Sequence, residues 1–156
     1  MRTILYICTG NTCRSPMAEA IARRHLAGKE TDPPVFVASA GVQAADGTPI
    51  TPETLESLAK LGIEHEGRSK RLTAQMIRKA DLIFCMSAGQ QAAARALVAD
   101  SPADMEKVVL LDPDRDIEDP FGMGQGAYDS QSVRLSKLIP QRLTEAFASV
   151  ADHSPS

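Results

Sequence analysis

The residues Ile4-Leu5-Tyr6-Ile7 form an unbroken apolar run, and the chain passes from it straight into a short polar loop and a helical pattern. A strand without polar alternation must be covered on both faces, which predicts the interior of a parallel sheet. The pattern recurs. Val35-Phe36-Val37-Ala38, Leu82-Ile83-Phe84-Cys85-Met86 and Val108-Val109-Leu110-Leu111 read as three further buried strands, each separated from the last by helical periodicity. Four such strands alternating with helices predict one α/β domain, a four-stranded parallel sheet flanked by helices on both faces in a doubly wound layout. Ligands are then expected beyond the carboxyl ends of the strands.

The helices announce themselves by spacing and by their ends. From Ser15, apolar positions at Met17, Ala18, Ile21, Ala22 and His25 follow the three- and four-residue steps of one face. Thr51-Pro52 is an N-cap followed by proline at the first helical position, with Leu55, Leu58 and Leu61 expected inside and Gly62 as the stop. Thr73 caps a short helix through Lys79. Ser87 with Gln90 three residues on makes a capping box for an Ala-rich helix to about Ala99. A last helix is predicted from near Asp129 or Ser130 to about Phe147, with Pro140 expected to kink or split it. Gly122-Met123-Gly124-Gln125-Gly126 has no strand before it and reads as a flexible loop rather than a dinucleotide fingerprint.

The 156 residues suit a single domain over 1–150; the polar tail from Ala148 is expected to fray, residues 151–156 above all. A formal net charge of −3 argues against a general nucleic-acid binder, which would need a basic face. No apolar run approaches the ~20 residues of a membrane span, and the apolar N-terminus reads as a buried strand rather than a signal peptide. Three cysteines, Cys8, Cys13 and Cys85, lack the spacing of a disulfide scaffold or a zinc site, so a reducing, cytoplasmic setting is expected.

The loop Cys8-Thr9-Gly10-Asn11-Thr12-Cys13-Arg14-Ser15 joins the first strand to the first helix. Amides of a tight loop converge there, and a helix N-terminus adds roughly half a positive charge, so the position suits an anion. Gly10 and Asn11 tolerate the backbone angles of such a cradle. That field, together with Arg14, is expected to hold Cys8 as a thiolate at neutral pH. The Arg14 guanidinium matches two oxygens of a phosphoryl group, and Ser15 can donate a hydrogen bond to the sulfur. The spacing lets one loop wrap a phosphate while Cys8 attacks it. No Gly-Lys-Ser/Thr follows, which excludes the Walker type of phosphate loop. Farther on, Asp116, Glu118 and Asp119 precede Pro120-Phe121. A thiol-based phosphoryl transfer needs a general acid and then a base, and Asp119 is the candidate, with Pro120 and Phe121 expected to fix its backbone and shield its carboxyl.

At these residues the chain resembles the low-molecular-weight protein tyrosine phosphatase family. The likeness rests on Cys-Thr-Gly-Asn-Thr-Cys-Arg-Ser-Pro-Met-Ala-Glu from Cys8, on Ser39-Ala40-Gly41, on the strand from Asp81 to Met86 and on Asp119-Pro120-Phe121. The resemblance implies a cytoplasmic cysteine-dependent protein phosphatase with Cys8 as nucleophile, Arg14 as phosphate clamp and Asp119 as acid and base. It implies phosphate binding by Thr9, Gly10, Asn11, Thr12, Cys13 and Ser15, and a bond from Asn11 to Ser39 that holds the loop. It implies no metal and no cofactor, a phosphorylated protein as partner, and a reversible disulfide between Cys13 and the nucleophile. The histidine that members often carry before Lys70-Arg71-Leu72-Thr73 aligns with Gly67, with His65 two residues away.

Within the family, tyrosine-directed members carry a bulky aliphatic residue at Thr12 and aromatic residues around the mouth. Here Gly122 follows Phe121, and Gln43-Ala44-Ala45-Asp46 offers no aromatic wall, although Tyr128 could fold back as a platform. The Thr-containing loop resembles that of the bacterial protein arginine phosphatase branch. A guanidinium is flat and rich in donors, so it is better met by a hydroxyl and a carboxylate than by an apolar slot. Phosphoarginine is therefore the favoured substrate and phosphotyrosine the alternative. A thioredoxin-coupled arsenate reductase would need a cysteine pair after the third strand, and this chain has only Cys85, within that strand. An inactive phosphate-binding module would need neither a thiol nor an acid.

Overall fold

The computed structural model describes residues 2–29, 31 and 33–152, so the last four residues of the tail expected to fray lie outside the described residues. In chain order the elements are β1 (Arg2–Cys8), α1 (Arg14–Leu26), β2 (Val35–Gly41), α2 (Pro52–Lys60), α3 (Ala74–Lys79), β3 (Leu82–Cys85), α4 (Ala88–Leu97), α5 (Pro102–Glu106), β4 (Val108–Leu110) and α6 (Gln125–Asp152). All pairings are parallel and the strand order is β2-β1-β3-β4. The chain steps from β1 to β2 on one side and then crosses to β3 on the other. The carboxyl end of β1 is thus the point where the winding reverses, the place such sheets leave open for ligands.

The period-two geometry of β1 divides the core. Ile4, Tyr6 and Cys8 join Met17, Ile21, Leu135 and Ile139 on the face covered by α1 and α6. Leu5 and Ile7 join Ile77, Ile83, Ala94 and Val98 on the face covered by α3 and α4. No helix among the described residues is long and apolar enough to cross a membrane.

Hydroxyl caps end the helices where the sequence placed them. Thr51, Thr73 and Ser87 accept from the amides of Thr54, Met76 and Gln90. A sixth helix, α5, goes beyond the five expected, although Ser101-Pro102 repeats the signal of Thr51-Pro52 and Ser101 caps it. Its five residues are too few for a periodicity to register.

Four expectations need correction. In α2 the inward face is Thr54, Ser57 and Leu58, whereas Leu55 and Leu61 are exposed. Polar bonds, not a leucine stripe, seat this helix on α6: the Ser57 hydroxyl donates to Asp129 at 2.7 Å and the Lys60 ammonium lies 2.7 Å from the same carboxylate. That pairing, with help from Ser57 and Gln125, holds the Asp129 carboxyl down to about 2.

The last helix begins a full turn earlier than its apolar pattern predicts, so Gly126 is helical and the glycine-rich loop shrinks to the segment before Gln125. Gln125 explains it, because its side-chain amide donates to the Glu53 carbonyl and the Ser57 hydroxyl of α2. Pro140 does not split α6. Proline removes one hydrogen bond, and Leu135, Ile139 and Leu143 are fully buried on either side of it, so packing carries the helix through. The capping box at Ser87 is half made: Gln90 supplies its amide to Ser87, but its side chain goes elsewhere.

Candidate active site

Cys13, the residue before α1, provides no side-chain cap, and the first turn of α1 holds no acidic residue. The four helices α2 to α5 all have hydroxyl caps. The orphan amides at the start of α1 are therefore left for an external acceptor. Asn11 supplies the bend, with a φ of 57° in the left-handed region. Gly10, expected to share that task, does not adopt a positive φ. Residues Cys8 to Arg14, with Asp119 and Phe121, line a pocket of about 220 Å³ at the end of β1.

Within this loop the sulfur of Cys8 is buried and surrounded by donors. The Asn11 amide donates to Sγ at 3.2 Å, and Ser15 Oγ lies 2.9 Å from it. Ser15 accepts from Asn11 Nδ2 at 2.8 Å, so its own proton faces the sulfur at 2.9 Å and, at 3.5 Å, the Ala40 carbonyl. Arg14 is buried, and its guanidinium is anchored by the Ile117 carbonyl at 2.9 Å. Its other terminal nitrogen lies 3.8 Å from Asp119 Oδ2. The Asp119 side chain remains 54% exposed, so Pro120 and Phe121 do not shield it. Its orientation comes instead from the Phe121 amide, which donates to Oδ1 at 3.1 Å.

The loop is held from behind by the bond from Asn11 to Ser39 that the resemblance implies and, beyond it, by groups that the sequence did not connect. Asn11 is buried with both ends of its amide in use: Nδ2 donates to Ser39 Oγ at 3.0 Å, and Oδ1 accepts from the Lys70 amide at 2.9 Å. Ser39 donates to Glu19 Oε1, and His65 Nε2 lies 2.9 Å from Glu19 Oε2. His65 thus enters the support of the loop through Glu19, although Gly67 occupies the aligned position. Glu19 figures in the sequence only as part of the family likeness, with no role given to it; the available signal was an acid between the apolar Met17-Ala18 and Ala20-Ile21 of α1. Gly41 was noted only for its likeness, but a Cβ there would stand 2.5 Å from the Thr9 carbonyl oxygen and 2.9 Å from the Asn11 amide. The loop rests directly on the backbone of β2.

Thr12 is half-buried in the pocket wall, and its carbonyl accepts from the Thr51 amide at 3.0 Å. Tyr128 is no platform at the mouth. It is buried beneath the loop, its hydroxyl 3.4 Å from Cys13 Sγ, and burial pushes its ionisation upward. Phe121, 69% exposed, is the aromatic residue at the rim. Cys8 and Cys13 are both free thiols. Cys85 is buried within β3 and its thiol is pushed up to about 12, chiefly by desolvation, which suits packing rather than a relay of electrons.

Comparison with known proteins agrees with this architecture. Residues 3–153 match the family described as "Low molecular weight phosphotyrosine protein phosphatase". A probable low-molecular-weight protein-tyrosine-phosphatase EpsP of Ralstonia solanacearum is 37% identical, the match covering 89% of this chain and 92% of that protein. A protein-arginine-phosphatase of Geobacillus stearothermophilus is also 37% identical, over 91% of this chain and 93% of its own length. Among solved structures, the YwlE arginine phosphatase from Geobacillus stearothermophilus superposes with a TM-score of 0.84 at 30% identity, covering 100% of this chain and 99% of that one. A low-molecular-weight protein tyrosine phosphatase from T. tengcongensis gives 0.82 at 34% identity, over 93% and 99% of the two chains. On the strength of the Cys8 loop, the four-stranded sheet beneath it and these full-length matches, the chain belongs to the low-molecular-weight protein tyrosine phosphatase family.

Proposed function

We propose that the chain dephosphorylates protein side chains through a cysteinyl-phosphate on Cys8, with phosphoarginine the preferred substrate. Cys8 Sγ attacks the phosphorus, the S–P bond forms, and the bond from phosphorus to the departing nitrogen or oxygen breaks. Asp119 gives its proton to the departing atom. In the second half Asp119 takes a proton from water, the new O–P bond forms, and the sulfur leaves as a thiolate stabilised by the Ser15 hydroxyl and the Asn11 amide. Arg14 and the loop amides hold the equatorial oxygens throughout, and the carbonyl of Ile117 keeps the guanidinium from turning away. Three free buried cysteines fit a reducing compartment, which supports a cytoplasmic setting.

The preference for phosphoarginine rests on the pocket wall: Thr12 and the exposed Asp119 carboxylate face the same space, and Tyr128 is withdrawn from it. Phosphotyrosine is the second reading, favoured by the exposed ring of Phe121 at the rim, against which an aromatic leaving group can stack. Side-by-side kcat/KM values on phosphoarginine and phosphotyrosine peptides test the preference. A higher value for phosphotyrosine would reverse the assignment. Hydrolysis of p-nitrophenyl phosphate by the wild type, abolished in Cys8→Ser, tests the chemistry; equal rates in the two would refute the nucleophile.

A further inference from the structure

We infer that Gln90 is a positioning residue for this reaction, holding the Thr9 hydroxyl as a hydrogen-bond donor to the bound phosphoryl group; the inference rests on the reading of the Cys8 loop as the phosphate site. In a capping box the residue at the third helical position turns its side chain back to the cap. Gln90 does not. Its amide nitrogen donates to Ser87 Oγ at 3.3 Å, while Nε2 reaches out of α4 to donate to Thr9 Oγ1 at 3.1 Å. The side chain is 4% exposed, and its Oε1 is buried with no partner among the described residues. A buried carbonyl left unpaired is destabilising, so the fold alone would be better served by an apolar residue. What the glutamine supplies is its bond to Thr9.

Thr9 follows Cys8 directly and lines the same pocket as Arg14 and Asp119. A hydroxyl has one proton to give and two lone pairs. Gln90 occupies a lone pair of Thr9 and so fixes the oxygen, while the proton meets no acceptor among the described residues. The expected occupant of this pocket, a phosphoryl group, presents acceptors only. A wall hydroxyl with a free proton complements it, and a bond to a charged acceptor is among the stronger kinds. Gln90 thereby acts on the substrate from a different strand-to-helix turn, through a residue 81 positions away.

The test uses the full chain and inorganic phosphate as competitive inhibitor of p-nitrophenyl phosphate hydrolysis. Thr9→Val is expected to raise the phosphate inhibition constant about tenfold, and Thr9→Ser to restore it. Gln90→Met, which keeps length and packing, is expected to raise it by a similar factor in wild type and by little in the Thr9→Val background. An unchanged constant in Thr9→Val overturns the inference, and this arm stands even if the Gln90 variant does not fold. Equal effects of Gln90→Met with and without the Thr9 hydroxyl also overturn it, as does a Gln90→Met variant that loses thermal stability alone. These failures are separate from that of the underlying reading, which would show as wild-type hydrolysis that is absent or survives Cys8→Ser.

Discussion

His65 Nε2 stands 2.9 Å from Glu19 Oε2, both side chains are almost fully buried, and the opposite oxygen of the carboxylate accepts from Ser39. The phosphate loop is thereby tied, through Asn11 and Ser39, to the buried contact between Glu19 and His65. Burial works to raise the ionisation of Glu19, but the His65 hydrogen bond and the charges of Arg23, His65 and Lys70 outweigh it, and the net shift is downward from 4.5. A carboxyl depressed in the folded state stabilises above its unfolded value and loses that contribution as pH falls through the folded one. Urea midpoints of wild type should therefore fall more steeply below about pH 4.5 than those of Glu19→Gln. Parallel curves would show that the pair carries no such linkage. His65→Ala removes one donor from the buried carboxylate while Ser39 and, at 3.6 Å, Arg23 remain, and should cost about 1–3 kcal/mol by urea unfolding, with kcat/KM falling because Ser39 and Asn11 lose part of their backing.

Asp119→Ala should slow poor leaving groups by roughly 10²–10⁴ while affecting p-nitrophenyl phosphate far less, since only a poor leaving group needs the proton. Steady-state rates on phenyl phosphate and p-nitrophenyl phosphate supply the comparison. Equal losses on both would assign the acid elsewhere.

Gly41→Ala should damage the site without touching it chemically. Its Cβ would meet two backbone atoms of the phosphate loop, at 2.5 Å and 2.9 Å, and a backbone cannot swing aside as a side chain can. Overpacking of this kind costs about 1–3 kcal/mol. Weaker inhibition by inorganic phosphate, measured where the variant remains folded, is the expected signature; unchanged inhibition would mean that the loop does not depend on this contact.

Thr12→Ile should shift the ratio of kcat/KM from phosphoarginine toward phosphotyrosine peptides. The substitution removes a hydroxyl from the pocket wall and adds an apolar surface suited to a ring. A ratio that stays fixed would remove the basis for the arginine preference.

Much of the molecule follows from local order alone. The unbroken apolar runs at Ile4 and Leu82 are four or five residues long, which suits an interior strand, whereas a buried helix would need about ten or more. Thr51, Thr73 and Ser87 mark helix starts because a hydroxyl beside free amides is a nearest-neighbour interaction, indifferent to the remainder of the chain. The phosphate loop belongs to the same class: Cys8, Asn11, Arg14 and Ser15 are close in sequence, so their convergence is written in one octapeptide. What folding decided involves partners far apart in the chain. The early start of α6 depends on Gln125 finding α2, the inward face of α2 on Asp129, the burial of Tyr128 on Cys13, and the support of the loop on Glu19 meeting His65 and on Gln90 meeting Thr9. A polar side chain has several possible partners of nearly equal merit in an extended chain. Only the closing of the sheet, which sets which strand ends and helix faces lie together, selects one.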